Sequence, residues 1–226
     1  MIKNTTFAAY NTDKLKSKKI YLVRHGETDY NLKGIVQGSG IDASLNQKGR
    51  DQAKAFYSAF HTTPFDKIYT SSLRRTKESV EQFINKGIPH EALSGLNEIN
   101  WGTREGMVIT PEEDAYYYRV IERWQNGETN LRIEGGESPQ DVCDRQKPAL
   151  EHILSKEDEG TVLICMHGRA MRVLLCQMLN YPLHSMDMFE HSNLCLYLLN
   201  HSGVHFTIEK FNSSDHLIEF KVNLPE

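Results

Sequence analysis

No run in the 226 residues approaches the ~18 consecutive apolar side chains that a bilayer-crossing helix needs. Cysteine is scarce: the four stand at 143, 165, 176 and 195, with no Cys-x-x-Cys pair, so a zinc knuckle or a thioredoxin-type motif is not expected. Three of them sit inside apolar runs and read as buried, reduced thiols. There are ten histidines but no His-Glu-x-x-His, and no histidine pair has a carboxylate at a recognisable metal spacing. Charge of one sign is lacking too. Lys plus Arg is 26 and Asp plus Glu is 30, so the net charge is −4 and neither nucleic acid nor anionic lipid is attracted globally. No internal repeat, low-complexity tract or linker divides the chain. The polar stretch 1–19 lacks the apolar core of a secretory signal. Residues 1–18 are expected to be a loose extension and the protein to be cytoplasmic.

Apolar periodicity orders the rest. Ile20–Val23, Lys67–Tyr69 and Thr161–Met166 read as short buried strands, and Ala92–Asn100 as a third strand carrying Glu98. Helices are expected over Asn46–His61, where Asn46 is the N-cap, and after Ser71-Ser72, over 111–126, from Ser138 to about Ser155, and over Ala170–Leu179. Ser192–Leu199 and Val204–Phe211 alternate and form a hairpin across Asn200–Gly203. Strands separated by helices imply an α/β fold with helices on both faces of a mostly parallel mixed sheet whose edge is antiparallel. One domain, 19–226, is expected, with an inserted lid at about 104–137 whose helix carries Tyr116, Tyr117 and Tyr118.

In such sheets ligands bind at the carboxyl ends of strands. Here those ends read Arg24-His25-Gly26, Ser71-Ser72-Leu73-Arg74-Arg75, Glu98 and His167-Gly168-Arg169. Guanidinium groups fork onto phosphate oxygens, and the His-Gly steps set backbone N–H groups at helix starts, where anions are stabilised. A neutral imidazole is a nucleophile near pH 7, and cationic neighbours keep it unprotonated. Glu98 can supply the proton that an alkoxide leaving group needs. The set suits phosphoryl transfer through a phosphohistidine, with no metal or cofactor. Taken singly, Arg-His-Gly is a weak signal, and either histidine can be merely structural. The order of all four segments is what carries weight.

The chain resembles the histidine phosphatase superfamily, the phosphoglycerate mutase-like proteins, over about residues 19–211. The resemblance runs through Leu22–Thr28 with Asn31, Gln37-Gly38 with Asp42, Leu45 and Gly49, Ser71–Thr76, Leu96–Ile99, Gly135–Ser138, and Met166–Gly168 with Arg172. It implies a three-layer α/β/α sandwich. His25 would be the phosphorylated nucleophile, Arg24, Arg75 and His167 would complete the phosphate pocket, and Glu98 would be the acid/base carboxylate. Asn31, Gln37 and Gly38 would touch phosphate or substrate, the Gly168 N–H would add an anion contact, and Asn193 would brace the first pocket histidine. Arg75 rather than Arg74 matches the family position, which leaves Arg74 exposed. Ser44 replaces a common proline, and Arg169 stands where a small residue is frequent, either as a second anion ligand or pointing to solvent.

The segment Ile99–Met107 resembles the Gly-x-x-Glu-Gly stretch of the phosphatase branches and lacks the Glu-Arg-x-Tyr-Gly of cofactor-dependent glycolytic mutases. Hydrolysis of a small phosphorylated metabolite to inorganic phosphate is therefore expected ahead of mutase chemistry. A fructose-2,6-bisphosphate substrate, in which Arg169 takes the second phosphate, is a sister reading. Arg119 and Arg123 share a helix face and either reach substrate or pair with Glu112 or Glu122. A non-catalytic phospho-ligand binding module is the alternative of another class. A homodimer is left open.

Overall fold

The computed structural model describes residues 17–219, so the expected extension lies almost wholly outside the described residues. Six strands form one sheet: β1 (Lys18–Arg24), β2 (Lys67–Thr70), β3 (His90–Ala92), β4 (Thr161–Met166), β5 (Leu196–His201) and β6 (Phe206–Ser213). Their order is β3-β2-β4-β1-β5-β6, parallel from β3 to β1 and antiparallel through β5 and β6. The strand period of two divides the core between two faces. Ile20, Leu22, Val162, Ile164 and Met166 join one apolar cluster with α5 (Pro139–Ser155) and α6 (Gly168–Leu179). Tyr21, Val23, Leu163 and Cys165 join the other with α2 (Gln47–Phe60) and α3 (Arg74–Asn85). The result is the three-layer α/β/α sandwich.

Local signals explain most boundaries. The Asn46 side chain accepts from the Gly49 N–H and opens α2. Ser138 and Asp141 form a reciprocal capping box for α5. A second box, Thr28 with Asn31, opens a one-turn helix, α1 (Asp29–Leu32), too short for periodicity to reveal. Helix α4 (Pro111–Gln125) buries Val120, Ile121 and Trp124 in the first cluster, and the Trp124 indole donates to the Leu131 carbonyl at 2.9 Å. A terminal turn, α7 (Asp215–Glu219), packs beside α2.

Three expectations need correction. The strand expected over Ala92–Asn100 ends at Ala92, and Ser94–Leu96 is a 3₁₀ turn. The chain leaves the sheet because Gly95 docks on α5, and Arg145 donates to the Gly95 and Glu98 carbonyls at 2.8 and 2.9 Å. Glu98 therefore sits in an irregular segment. The hairpin is shifted toward the C-terminus: β5 runs through His201, whose ring stacks 4.4 Å from Phe206, and the turn is Ser202 to His205. Finally, α6 starts at Gly168 rather than Ala170, directly after β4.

Candidate functional site

Two strand ends meet because β1 and β4 are neighbours in register, Arg24 opposite Met166. The next residue on each is a histidine. The His25 N–H donates to the Met166 carbonyl at 2.9 Å, and the His25 and His167 ring centroids lie 5.1 Å apart. Both side chains are buried. The Nδ1 of His25 lies 2.7 Å from the Gly26 carbonyl, which can only accept, so Nδ1 carries the proton and Nε2 keeps its lone pair. His167 has the opposite tautomer. Its Nδ1 accepts from Arg75 Nε at 3.1 Å, so its Nε2–H donates to Ser71 Oγ at 2.8 Å. Ser71 follows β2, and so three strand ends are tied together.

Burial, then the charges of Arg75 and Arg24, hold the His25 pKa well below the ordinary imidazole value; burial and Arg75 do the same to His167. Arg24 is partly buried, enough for burial to lower its pKa, and its Nη1 meets His191 Nδ1 at 3.3 Å. Its Nε is buried with no partner, an unsatisfied donor of the kind an anion satisfies. Arg75 enters from the first turn of α3, fully buried, and also donates to the Ile41 and Gly38 carbonyls. Arg74 is exposed, its backbone N–H held by Asp42 at 2.6 Å.

Glu98 is buried and accepts from three backbone N–H groups: Ile99 at 2.9 Å, Arg169 at 3.2 Å and Ala170 at 2.8 Å. It thus caps the start of α6, the helix that Gly168 opens. A Cβ on Gly168 would stand 2.6 Å from the His191 ring, so only glycine lets that ring in. Asn31 Oδ1 accepts from Thr28, and Asn193 Nδ2 reaches it at 3.4 Å while donating to the His25 carbonyl at 3.0 Å. With its amide turned to satisfy both neighbours, Gln37 donates to Thr28 Oγ1 at 2.7 Å and accepts from Arg75 Nε at 2.9 Å. Gly38 is pressed by the Glu105 carboxylate, where a Cβ would fall 2.0 Å from Oε1.

A cavity of about 370 Å³ opens beside this cluster, with Arg24, Asn31, Gln37 and His191 on its wall. His191 is the site residue that sequence reasoning missed. Only its tertiary contact with Arg24 marks it; no local signal does. Tyr116 and Tyr117 of α4 also line the cavity, whereas Tyr118 faces solvent. The expectations for the remaining arginines need correction. Arg169 neither points to solvent nor is free for an anion: it is buried and bonded to Asp187 and to the Tyr117 hydroxyl, each at 2.5 Å. Arg119 is exposed, and Arg123 pairs with Glu128, not with Glu112 or Glu122. Among the described residues no three His, Cys, Asp or Glu side chains are grouped as metal donors.

This arrangement can hold a tetrahedral oxyanion on permanently charged donors beside an unprotonated ring nitrogen. The sequence profile of the "Histidine phosphatase superfamily (branch 1)" matches residues 20–214. Phosphoserine phosphatase 1 of Hydrogenobacter thermophilus is 29% identical over 90% of this chain and 96% of its own length. A probable phosphoglycerate mutase of Serratia proteamaculans is 29% identical over 81% of this chain and 85% of its own. Among solved structures, Bacillus stearothermophilus YhfR superposes with a TM-score of 0.77 at 26% identity, covering 88% of this chain and 99% of that one. A mycobacterial glucosyl-3-phosphoglycerate phosphatase, whose structure was also solved with inorganic phosphate, shares the fold at a TM-score of 0.74 and 22% identity, over 88% and 99% of the two chains.

Proposed function

This chain belongs to the histidine phosphatase superfamily, branch 1, and on that premise we propose that it hydrolyses phosphomonoesters through a phosphohistidine at His25. It is an enzyme of the phosphatase and phosphoglycerate mutase-like class. The observation that carries the finer reading is the 2.7 Å bond from His25 Nδ1–H to the Gly26 carbonyl, which leaves Nε2 as a lone-pair nitrogen beside Arg24, Arg75 and His167.

Arg24 and Arg75 hold the phosphoryl oxygens, with Asn31, Gln37 and the Gly168 N–H around them, and His167, tied between Arg75 and Ser71, joins them by turning its Nε2–H from Ser71 to the phosphoryl group. The His25 Nε2 lone pair forms a bond to phosphorus as the ester P–O bond breaks, and Glu98 protonates the departing alkoxide. Water then attacks phosphorus, the N–P bond breaks, and the water proton passes to Glu98. Inorganic phosphate leaves. The guanidinium groups supply the positive charge that stabilises the transition state, so no divalent ion is needed. Asn193 holds the His25 backbone in place through its carbonyl.

Hydrolysis of p-nitrophenyl phosphate in EDTA tests this reading. Turnover is expected to persist, an acid-labile phosphoryl adduct is expected on His25 by mass spectrometry, and His25→Ala is expected to lose more than about a thousandfold in kcat. Loss of activity in EDTA, or an adduct on another side chain, would overturn it. Interconversion of phosphoglycerates without net phosphate release would assign the same histidine to mutase chemistry instead.

A further inference from the structure

We propose that the leaving group taken by this phosphatase is uncharged and ring-bearing, an aryl or arylalkyl phosphomonoester rather than a phosphoglycerate or a sugar bisphosphate. The inference rests on the hydrolase reading above and concerns the cavity that continues from the phosphate-binding side chains. At about 370 Å³ it lies within the range of small-molecule pockets and exceeds what a phosphoryl group alone requires. Arg24, Asn31, Gln37 and His191 on its wall belong to the phosphate cluster. Most of the remaining lining is aromatic or aliphatic, Trp101, Tyr116, Tyr117, Ile35, Val120 and Ile133 among it, with one pair of opposite charges. Trp101 and Tyr117 stand 5.7 Å apart by ring centroid, inclined at 52°, two faces of an aromatic corner.

Charge on the rest of the lining points the same way. A second anionic group on the substrate needs an arginine turned toward it, and besides Arg24 the cavity wall carries Arg104. Arg169 and Arg172 both hold Asp187, and Arg123 holds Glu128. Arg104 has its guanidinium carbon over the Tyr116 ring at 4.0 Å from the centroid, and Asp114 on the same wall carries the opposite charge. Outside the phosphate cluster the lining thus carries one charge of each sign, with no net charge to draw an anion, and has aromatic faces on which a planar apolar group can stack.

The test uses alkoxide esters, so that leaving-group chemistry stays constant. Phenethyl phosphate is compared with glycerol 3-phosphate, 3-phosphoglycerate and O-phosphoserine on the intact chain. The kcat/KM for phenethyl phosphate is expected to exceed each of the others by about tenfold or more, chiefly through KM. Tyr116→Ala is expected to narrow the ratio of phenethyl phosphate to glycerol 3-phosphate several-fold, and Tyr116→Phe to restore it. Preference for 3-phosphoglycerate overturns the proposal, as does preference for O-phosphoserine, whose carboxylate and ammonium would match Arg104 and Asp114. An unchanged ratio in Tyr116→Ala, with the protein folded by circular dichroism, overturns it as well. No turnover of any ester, p-nitrophenyl phosphate included, would instead sink the hydrolase reading beneath it.

Discussion

At the scale of single residues, neutral imidazoles are placed among permanent cations. Desolvation first and the arginine charges second keep His25 and His167 unprotonated below the pH where an ordinary histidine charges. NMR titration of the ring nitrogens is expected to show both rings neutral at pH 6, with His25 protonated on Nδ1 and His167 on Nε2; a midpoint near 6.5 for either would refute the electrostatics. Glu98 is the residue with two possible duties, because its carboxylate also caps α6. Glu98→Gln separates them. A proton donor's loss is expected to cut turnover of alkyl phosphates by about a hundredfold or more while sparing p-nitrophenyl phosphate, whose phenolate needs little protonation. Equal losses on both substrates would reduce Glu98 to a helix cap.

The elements hold these residues through a small number of ties, and α4 has one of its own. Tyr117 and Gln125 of α4 reach Arg169 and Asp187, so α4 is fastened to α6, whose first residue borders the site. Burial would raise the Asp187 pKa, but the adjacent Arg169 and Arg172 charges hold it below the ordinary carboxylate value. Removing this carboxylate leaves two guanidinium groups without their shared counter-ion, one of them buried. Asp187→Ala is expected to destabilise the protein by about 3–5 kcal/mol and lower Tm by roughly 10 °C, with Asp187→Asn milder, as calorimetry would measure. A melting curve unchanged in Asp187→Ala would show that the tie contributes nothing. The helices were legible in the sequence because caps and periodicity are local: Asn46 and Ser138 announce α2 and α5. The third strand was misjudged because what ends it, the docking of Gly95 on α5 and the Arg145 bonds, involves residues some 50 positions away. Arg169 was misjudged for the same reason, since its partners are Asp187 and Tyr117.

The whole molecule carries an acid sensitivity. Burial lowers the pKa of His25 and His167, that of His216 to about 4, and that of the half-buried His191 to about 2. In the unfolded chain all four titrate near 6.5. The unfolded state therefore binds more protons between that value and the lowered ones. Stability is full above about pH 6.5 and falls as pH drops toward 4. Tm is expected to decline steadily over that window. His216, packed edge-on against Phe56 and Phe60 with an unpartnered Nε2, takes no part in the proposed chemistry and isolates one share of the effect. His216→Phe is expected to flatten the fall by up to about 1.4 kcal/mol per pH unit between pH 6 and 4.5, read from denaturant midpoints at each pH. An unaltered slope would remove His216 from the account.

The sequence by itself determined the sheet's central strands, the helices around them and which residues stand at the strand ends, because apolar period, caps and turn residues act over a few positions. It also marked His25, Arg24, Arg75 and His167 as a set. The tertiary structure alone decided their tautomers, the entry of His191, the engagement of Arg169 by Asp187 and Tyr117, and the aromatic side chains of the cavity wall. Each of these depends on which side chain faces which across the sheet's neighbours, and burial gives those pairings their strength; neither is written in the spacing of residues along one strand or helix.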